Sequence, residues 1–101
     1  MEIYDFETFV NENVRRGDTF EVIEGYGNRP FELMVGTDVR SPYGGEAVSL
    51  PKGYEIEFES EAPNGNIWFS FEHPESGKKL RGKIEAGSIQ NLIRGKKIKK
   101  V

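Results

Sequence analysis

Glu55, Glu57, Glu59 and Glu61 occupy every second position of one short segment, with Ile56, Phe58 and Ser60 between them. Alternate residues of an extended chain share a face, so the spacing predicts four carboxylates in a row about 6.5–7 Å apart. Like charges so placed repel, and Glu is a poor strand former. Such a row carries an energetic cost with no folding reward. Glu46 and Glu72 extend the acidic set. Side chains this far apart are too open to share one small cation. Carboxylate pairs for glycoside chemistry would have to face a cleft, whereas these are expected on a flat outward face. The chemistry that remains is electrostatic recognition of a basic surface.

A second constellation is cationic. Lys79, Arg81 and Lys83 alternate along one segment, and Lys96, Lys97, Lys99 and Lys100 follow near the C-terminus. With Trp68 beside them they form the aromatic-plus-basic layout that small barrels use for single-stranded nucleic acid. The charge is split along the chain. Residues 1–75 hold 5 basic and 16 acidic side chains, net −11, while residues 76–101 hold 9 basic side chains and one acid, net +8. The overall charge of −3 and pI near 5.2 weigh against the basic footprint of a nucleic-acid binder.

Other chemistry is thinly supplied. The 101 residues contain no Cys and one His, which removes thiolate chemistry and leaves no pair of imidazoles for a transition metal. His73 precedes Pro74 at a hairpin end, a turn position rather than a catalytic one. "GYGNRP" (25–30) lacks the third glycine and the helix of a dinucleotide loop and reads as a turn. The expectation is a protein that is not an enzyme and uses neither metal nor cofactor. No apolar run approaches the length of a membrane span, and "MEIYDFETFV" lacks the pattern of a secretory signal. The expected location is cytoplasmic, with no membrane partner.

The elements that must position these residues follow from periodicity. Ile3, Phe6, Val10 and Val14 recur at helical steps, predicting a helix over 3–15 that Gly17 ends. The period then changes to two, with strands expected at 19–24, 31–39, 46–50 and 54–61. Asn64-Gly65 is a strong hairpin signal. A two-residue turn there would pair Glu61 with Trp68, Glu59 with Ser70 and Glu57 with Glu72, leaving the apolar residues on the other face. Continuing the meander pairs Glu72 with Lys79, Ser70 with Arg81 and Trp68 with Lys83. The acidic and basic stripes would then lie two strand spacings apart, about 9.5–10 Å, and compensate each other weakly. Ser88 caps a short helical turn containing Ile89, Leu92 and Ile93, and "KKIKKV" is left as a strand or a loose basic tail.

The reading is one α+β domain spanning 1–101. It comprises an N-terminal helix (1–17), an antiparallel β meander (18–86), and a helical turn with a basic strand or tail (87–101). The helix is expected to pack on a twisted antiparallel sheet, with a small SH3-like or OB-like barrel as its closed form. The expected core is Phe20, Val22, Phe31, Leu33, Val35, Ile56, Phe58, Phe69, Phe71, Leu80 and Ile84, with Phe6 and Val10 from the helix.

In its size, its lack of Cys and its patterned acids ("YEIEFESE", 54–61), the chain resembles the small phage-encoded inhibitors that imitate DNA and occupy host DNA-binding proteins. The C-terminal quarter, at +8, departs from the uniform acidity of that class. The resemblance implies a non-enzymatic inhibitor in the host cytoplasm. Its acidic face (Glu46, Glu55, Glu57, Glu59, Glu61, Glu72) would engage a basic, DNA-binding protein. The alternative is a nucleic-acid-binding barrel using Trp68, Lys79, Arg81, Lys83, Lys96, Lys97, Lys99 and Lys100. A third expectation is homo-oligomerisation driven by the charge split.

Overall fold

A computed structural model describes residues 14–36 and 45–101. Seven strands run β1 (Thr19–Val22), β2 (Phe31–Val35), β3 (Glu46–Leu50), β4 (Glu55–Glu61), β5 (Asn66–Glu72), β6 (Lys79–Glu85) and β7 (Ile98–Lys100). One short helix, α1 (Ile89–Arg94), precedes β7. The strands form a single sheet in the order β3-β2-β6-β5-β4-β1-β7, and every paired neighbour is antiparallel.

This corrects the expected fold class. The described chain is mostly a seven-stranded antiparallel sheet with one short helix near the C-terminus, not a sheet carrying an N-terminal helix. Most of the segment read as that helix, with Phe6 and Val10, lies outside the described residues. Its last residues, Val14 and Arg15, are not helical. They lead into a turn in which the Asp18 N–H donates to the Arg15 carbonyl and the Asp18 carboxylate accepts from the Arg15 N–H. Gly17 belongs to that turn and begins the pairing with β4, its N–H donating to Phe58 O at 2.8 Å. The barrel form is not observed among the described residues, where β3 and β7 stand at opposite ends of the sheet.

Period-two patterning gives the sheet one apolar face. Phe20, Val22, Phe31, Leu33, Ile56, Phe58, Phe69 and Phe71 are buried there, as their spacing predicts, while Val35, Leu80 and Ile84 are half-buried against them. Phe58 and Phe69 meet edge to face, 6.1 Å between centroids. The core also takes in Val48, Leu50, Ile67, Ile89, Leu92 and Ile98. Ser88 caps α1 as expected, its side chain accepting from the Asn91 N–H. The expected strand-or-tail at the C-terminus is a strand. β7 pairs with β1 and inserts Ile98 into the core.

The β4–β5 hairpin departs from its expected register. The loop has three residues rather than two: Ala62 pairs back to Asn66 through its N–H, and the Gly65 N–H closes the turn on Ala62 O. Gly65, at φ 91°, takes the left-handed position that such a loop places third. Asn64 then works outside the central pair of a primed turn, its side chain accepting from the Asn66 N–H. Glu61 therefore faces Ile67 and Ser60 faces Trp68, one residue out of the expected register. A bulge at Glu59 takes out a second residue, so that Phe58 faces Phe69 and Glu57 faces Ser70. Two one-residue shifts restore the parity of the lower half of β4. Ile56 and Phe58 still point inward, whereas residues 60 and 61 have exchanged faces.

The β5–β6 pairing is as the sequence predicts. Ile67 faces Ile84, Phe71 faces Leu80, Trp68 faces Lys83, Ser70 faces Arg81 and Glu72 faces Lys79.

Candidate functional site

The row of four carboxylates does not exist as a row. Glu55 and Glu57 point outward from β4, but Glu59 is the bulged residue and Glu61 has turned toward the helix side. The Glu61 carboxylate accepts from the Ile89 N–H at 3.4 Å, where it satisfies an otherwise unpaired donor at the start of α1. Its role is a cap.

Glu59 is spent on neutralisation. The Ser70 hydroxyl donates to one of its oxygens, and Arg81 Nε lies 3.0 Å from the other. The expected 9.5–10 Å gap between the stripes is crossed because the bulge projects Glu59 toward β5 and both side chains are long. The Ser70 hydroxyl, followed by Arg81, holds the Glu59 carboxyl below its usual range.

What remains outward is a smaller acidic group. Glu55, Glu57 and Glu72 line a cleft of about 430 Å³ with Tyr54, Ser70 and Lys79. Among the described residues none of these three carboxylates is ion-paired. Glu57 faces Ser70 and Thr19, so the expected like-charge pair with Glu72 is absent. The like-charge pair that does form is Glu55 opposite Glu21 of β1. Glu46 sits on β3, separated from β4 by three intervening strands, and does not join the group.

The basic set is divided in the same way. β7 lies beside β1 and sets its cations against acids: Lys99 Nζ is 3.7 Å from Glu21 and Lys100 Nζ 3.3 Å from Asp18. Lys97 reaches Glu24 at 3.6 Å and donates to Gly25 O at 2.9 Å, with its ammonium 4.8 Å from the centre of the Tyr26 ring. Lys96 occupies the left-handed position after α1. Trp68 is half-buried beneath Arg81, whose guanidinium carbon lies 4.2 Å from the ring centroid, with Lys83 Nζ at 5.7 Å. The structure thus brings Trp68, Arg81 and Lys83 together. It carries Lys97, Lys99 and Lys100 to the far edge, and Lys79 into the acidic cleft.

His73 is a turn residue, as its position suggests. Its Nδ1 accepts from the Glu75 N–H at 3.0 Å and the Ser76 N–H at 3.4 Å. Among the described residues no group of three or more His, Asp or Glu side chains is arranged to hold a metal ion. No helix of the described residues is long and apolar enough to cross a membrane. Compared with family models, with curated proteins and with solved structures, the chain matches none.

Sequence reasoning did not foresee the Glu55–Glu21 pair, because β1 was not assigned a neighbour. Nor did it find the β7–β1 ion pairs. The signal for these was present: "DTFEVIE" (18–24) and "KKIKK" (96–100) place acids and lysines so that an antiparallel pairing matches them.

Proposed function

We propose that this chain is a non-enzymatic binding protein whose working surface is the outward acidic group Glu55, Glu57 and Glu72. The partner is a basic protein. In the form that the resemblance to DNA-imitating inhibitors implies, it is a host DNA-binding protein whose groove accepts carboxylates in place of phosphates. The observation that carries this reading is three carboxylates around one cleft without an ion pair among the described residues, in a protein that neutralises Glu59, Glu21 and Asp18 internally. Among the described residues Lys79, opposite Glu72, is the one cation lining the cleft, and Glu55 is set directly opposite Glu21, which costs stability. A surface kept for solubility alone has no need of that cost.

The test is capture from bacterial lysate with wild-type bait and with the E55Q/E57Q/E72Q bait. Wild type is expected to retain basic proteins that added duplex DNA releases, and the triple variant to lose them. Equal capture by both baits at equal salt sensitivity overturns the reading.

The nucleic-acid alternative keeps a narrower basis, the stacked group of Trp68, Arg81 and Lys83. Retardation of single-stranded DNA or RNA at low salt, abolished by Trp68→Ala, would favour it over the acidic-face reading.

A further inference from the structure

We propose that the cleft between the 25–30 turn, β2 and β6 is the centre of a two-fold interface with a second copy of this chain. This surface is distinct from the acidic group on β4 and β5. β2 pairs with β6 only at Met34–Lys83 and Val35–Gly82. Continued by two residues, that register would set Glu32 against Glu85, a like-charge pair that costs stability. The strands part there instead, and the opening is a cleft of about 260 Å³. Its apolar lining is Tyr26, Pro30, Met34 and Ile84. Tyr26 is 47% exposed and Met34 37%, and the one other large apolar side chain so exposed among the described residues is Val101. Exposed apolar side chains scattered singly need no explanation, whereas two gathered in one cleft mark a contact surface.

The rim decides the occupant. Arg29 and Lys83 supply two positive charges there, and Glu32 and Glu85 two negative ones. Among the described residues none of the four is in an ion pair. Glu32 accepts from the neutral Ser49 hydroxyl, and Lys83 Nζ lies 5.7 Å from the centre of the Trp68 ring. A nucleic acid would set phosphates against the two acids. A segment of uniform charge, whichever its sign, would meet two like charges. A copy turned about a two-fold axis through the cleft meets neither penalty. Each contact then occurs twice, residue i on j and j on i, so the cations of one copy face the acids of the other while the Met34 side chains meet near the axis. An apolar centre inside a charged rim is the usual anatomy of a protein interface. The patch is small, which makes the dimer a weak one.

Sedimentation of the full chain is followed from micromolar to millimolar concentration, with amide NMR spectra over the same range. Wild type is expected to pass from monomer to dimer, and dilution to shift the amide resonances of residues 26–34 and 83–85 but not those of 55–61. M34E, R29E/K83E and E32K/E85K are each expected to stay monomeric. An equimolar mixture of R29E/K83E and E32K/E85K restores a dimer, and the same mixture with M34E in both chains restores none. The dilution shifts are read on the wild-type chain and stand whatever the variants do to folding. Wild type that is monomeric at millimolar concentration, dilution shifts centred on 55–61, or M34E that dimerises as wild type does overturns the proposal. So does a mixture that stays monomeric. Association that continues past the dimer also overturns it, because head-to-tail contact of the charge-split chain does not close.

Discussion

Arg81 Nε sits 3.0 Å from Glu59 Oε1 although the two residues belong to strands separated by β5, and the Ser70 hydroxyl of β5 donates to the other Glu59 oxygen. The pair joins the acidic and basic stripes that periodicity alone would hold apart. Glu59 is 16% exposed and Arg81 54%, so water screens one side of the pair and its worth is modest.

Because the Glu59 carboxyl is held below its usual range in the folded protein, its contribution to stability is fully present above the unfolded value of about 4.3. It is lost as pH falls through the lower, folded value. Glu59→Gln is expected to lower stability at pH 7 by about 0.5–1 kcal/mol and to flatten the loss of urea midpoint between neutral and acid pH. Asp18, whose carboxyl is lowered chiefly by the Arg15 N–H, has the same sign and supplies acid sensitivity that persists in the variant. An unchanged pH profile in Glu59→Gln would show that the bridge contributes nothing.

Gly82 lies on the inner face of β6, opposite Phe69 and Val35. A methyl group there would stand 2.9 Å from Leu33 Cβ and 3.1 Å from Phe71 Cε1, both in the core. Gly82→Ala is expected to destabilise by about 1–3 kcal/mol through overpacking, read as a lower denaturant midpoint at constant slope.

The parts of the fold legible in the sequence are those fixed by local alternation. β5 against β6 follows from matching Ile67, Phe69 and Phe71 to Leu80 and Ile84, since a one-residue slip would expose every one of them. β4 against β5 resists the same reasoning. Asn64-Gly65 suits a two-residue and a three-residue loop alike, and a bulge at Glu59 compensates the extra residue while keeping Phe58 inside. The candidate site inherits that ambiguity. Glu55 and Glu57 lie below the bulge and keep their predicted face, Glu59 at the bulge still meets Ser70 and Arg81 on that face, and Glu61 beyond it loses its place there. The partner of β1 is distant in sequence, so the matching charges of 18–24 and 96–100 show only once the two strands are paired, and the lysines of β7 read as a short strand or a basic tail rather than as counter-ions to Asp18 and Glu21.

Lys96 follows α1 with φ 57°, its N–H bonded to Ile93 O and the Lys97 N–H to Leu92 O. This is the Schellman arrangement with lysine at the position that glycine usually fills, while Gly95 sits one residue early. An L side chain in that region costs about 1–2 kcal/mol. Lys96→Gly is therefore expected to raise stability by about 0.5–1 kcal/mol after the extra freedom of glycine in the unfolded chain is subtracted. A fall in thermal midpoint would contradict it.

Gln90 on α1 is 6% exposed, and among the described residues neither its Oε1 nor its Nε2 has a hydrogen-bond partner. A buried amide without partners loses its hydration with no return, at about 1–3 kcal/mol. Gln90→Met, similar in shape and apolar, is expected to recover at least part of that and raise the denaturant midpoint. Loss of stability instead would mean that the amide is satisfied in solution.

Glu55 separates a working surface from a decorative one. It stands opposite Glu21 across β1 and β4, and Glu21 is already engaged by Lys99 at 3.7 Å. Removing its charge relieves a cross-strand repulsion, so Glu55→Gln is expected to gain about 0.2–1 kcal/mol. If the acidic group binds a basic partner, the same change weakens capture and flattens its salt sensitivity, so that stability and binding move in opposite directions. Glu32, another outward carboxylate, accepts from the Ser49 hydroxyl away from the cleft and serves as the control. Glu32→Gln should leave capture unchanged. Loss of binding in both variants to the same degree would trace the effect to net charge rather than to Glu55, and would remove the case for a built acidic site.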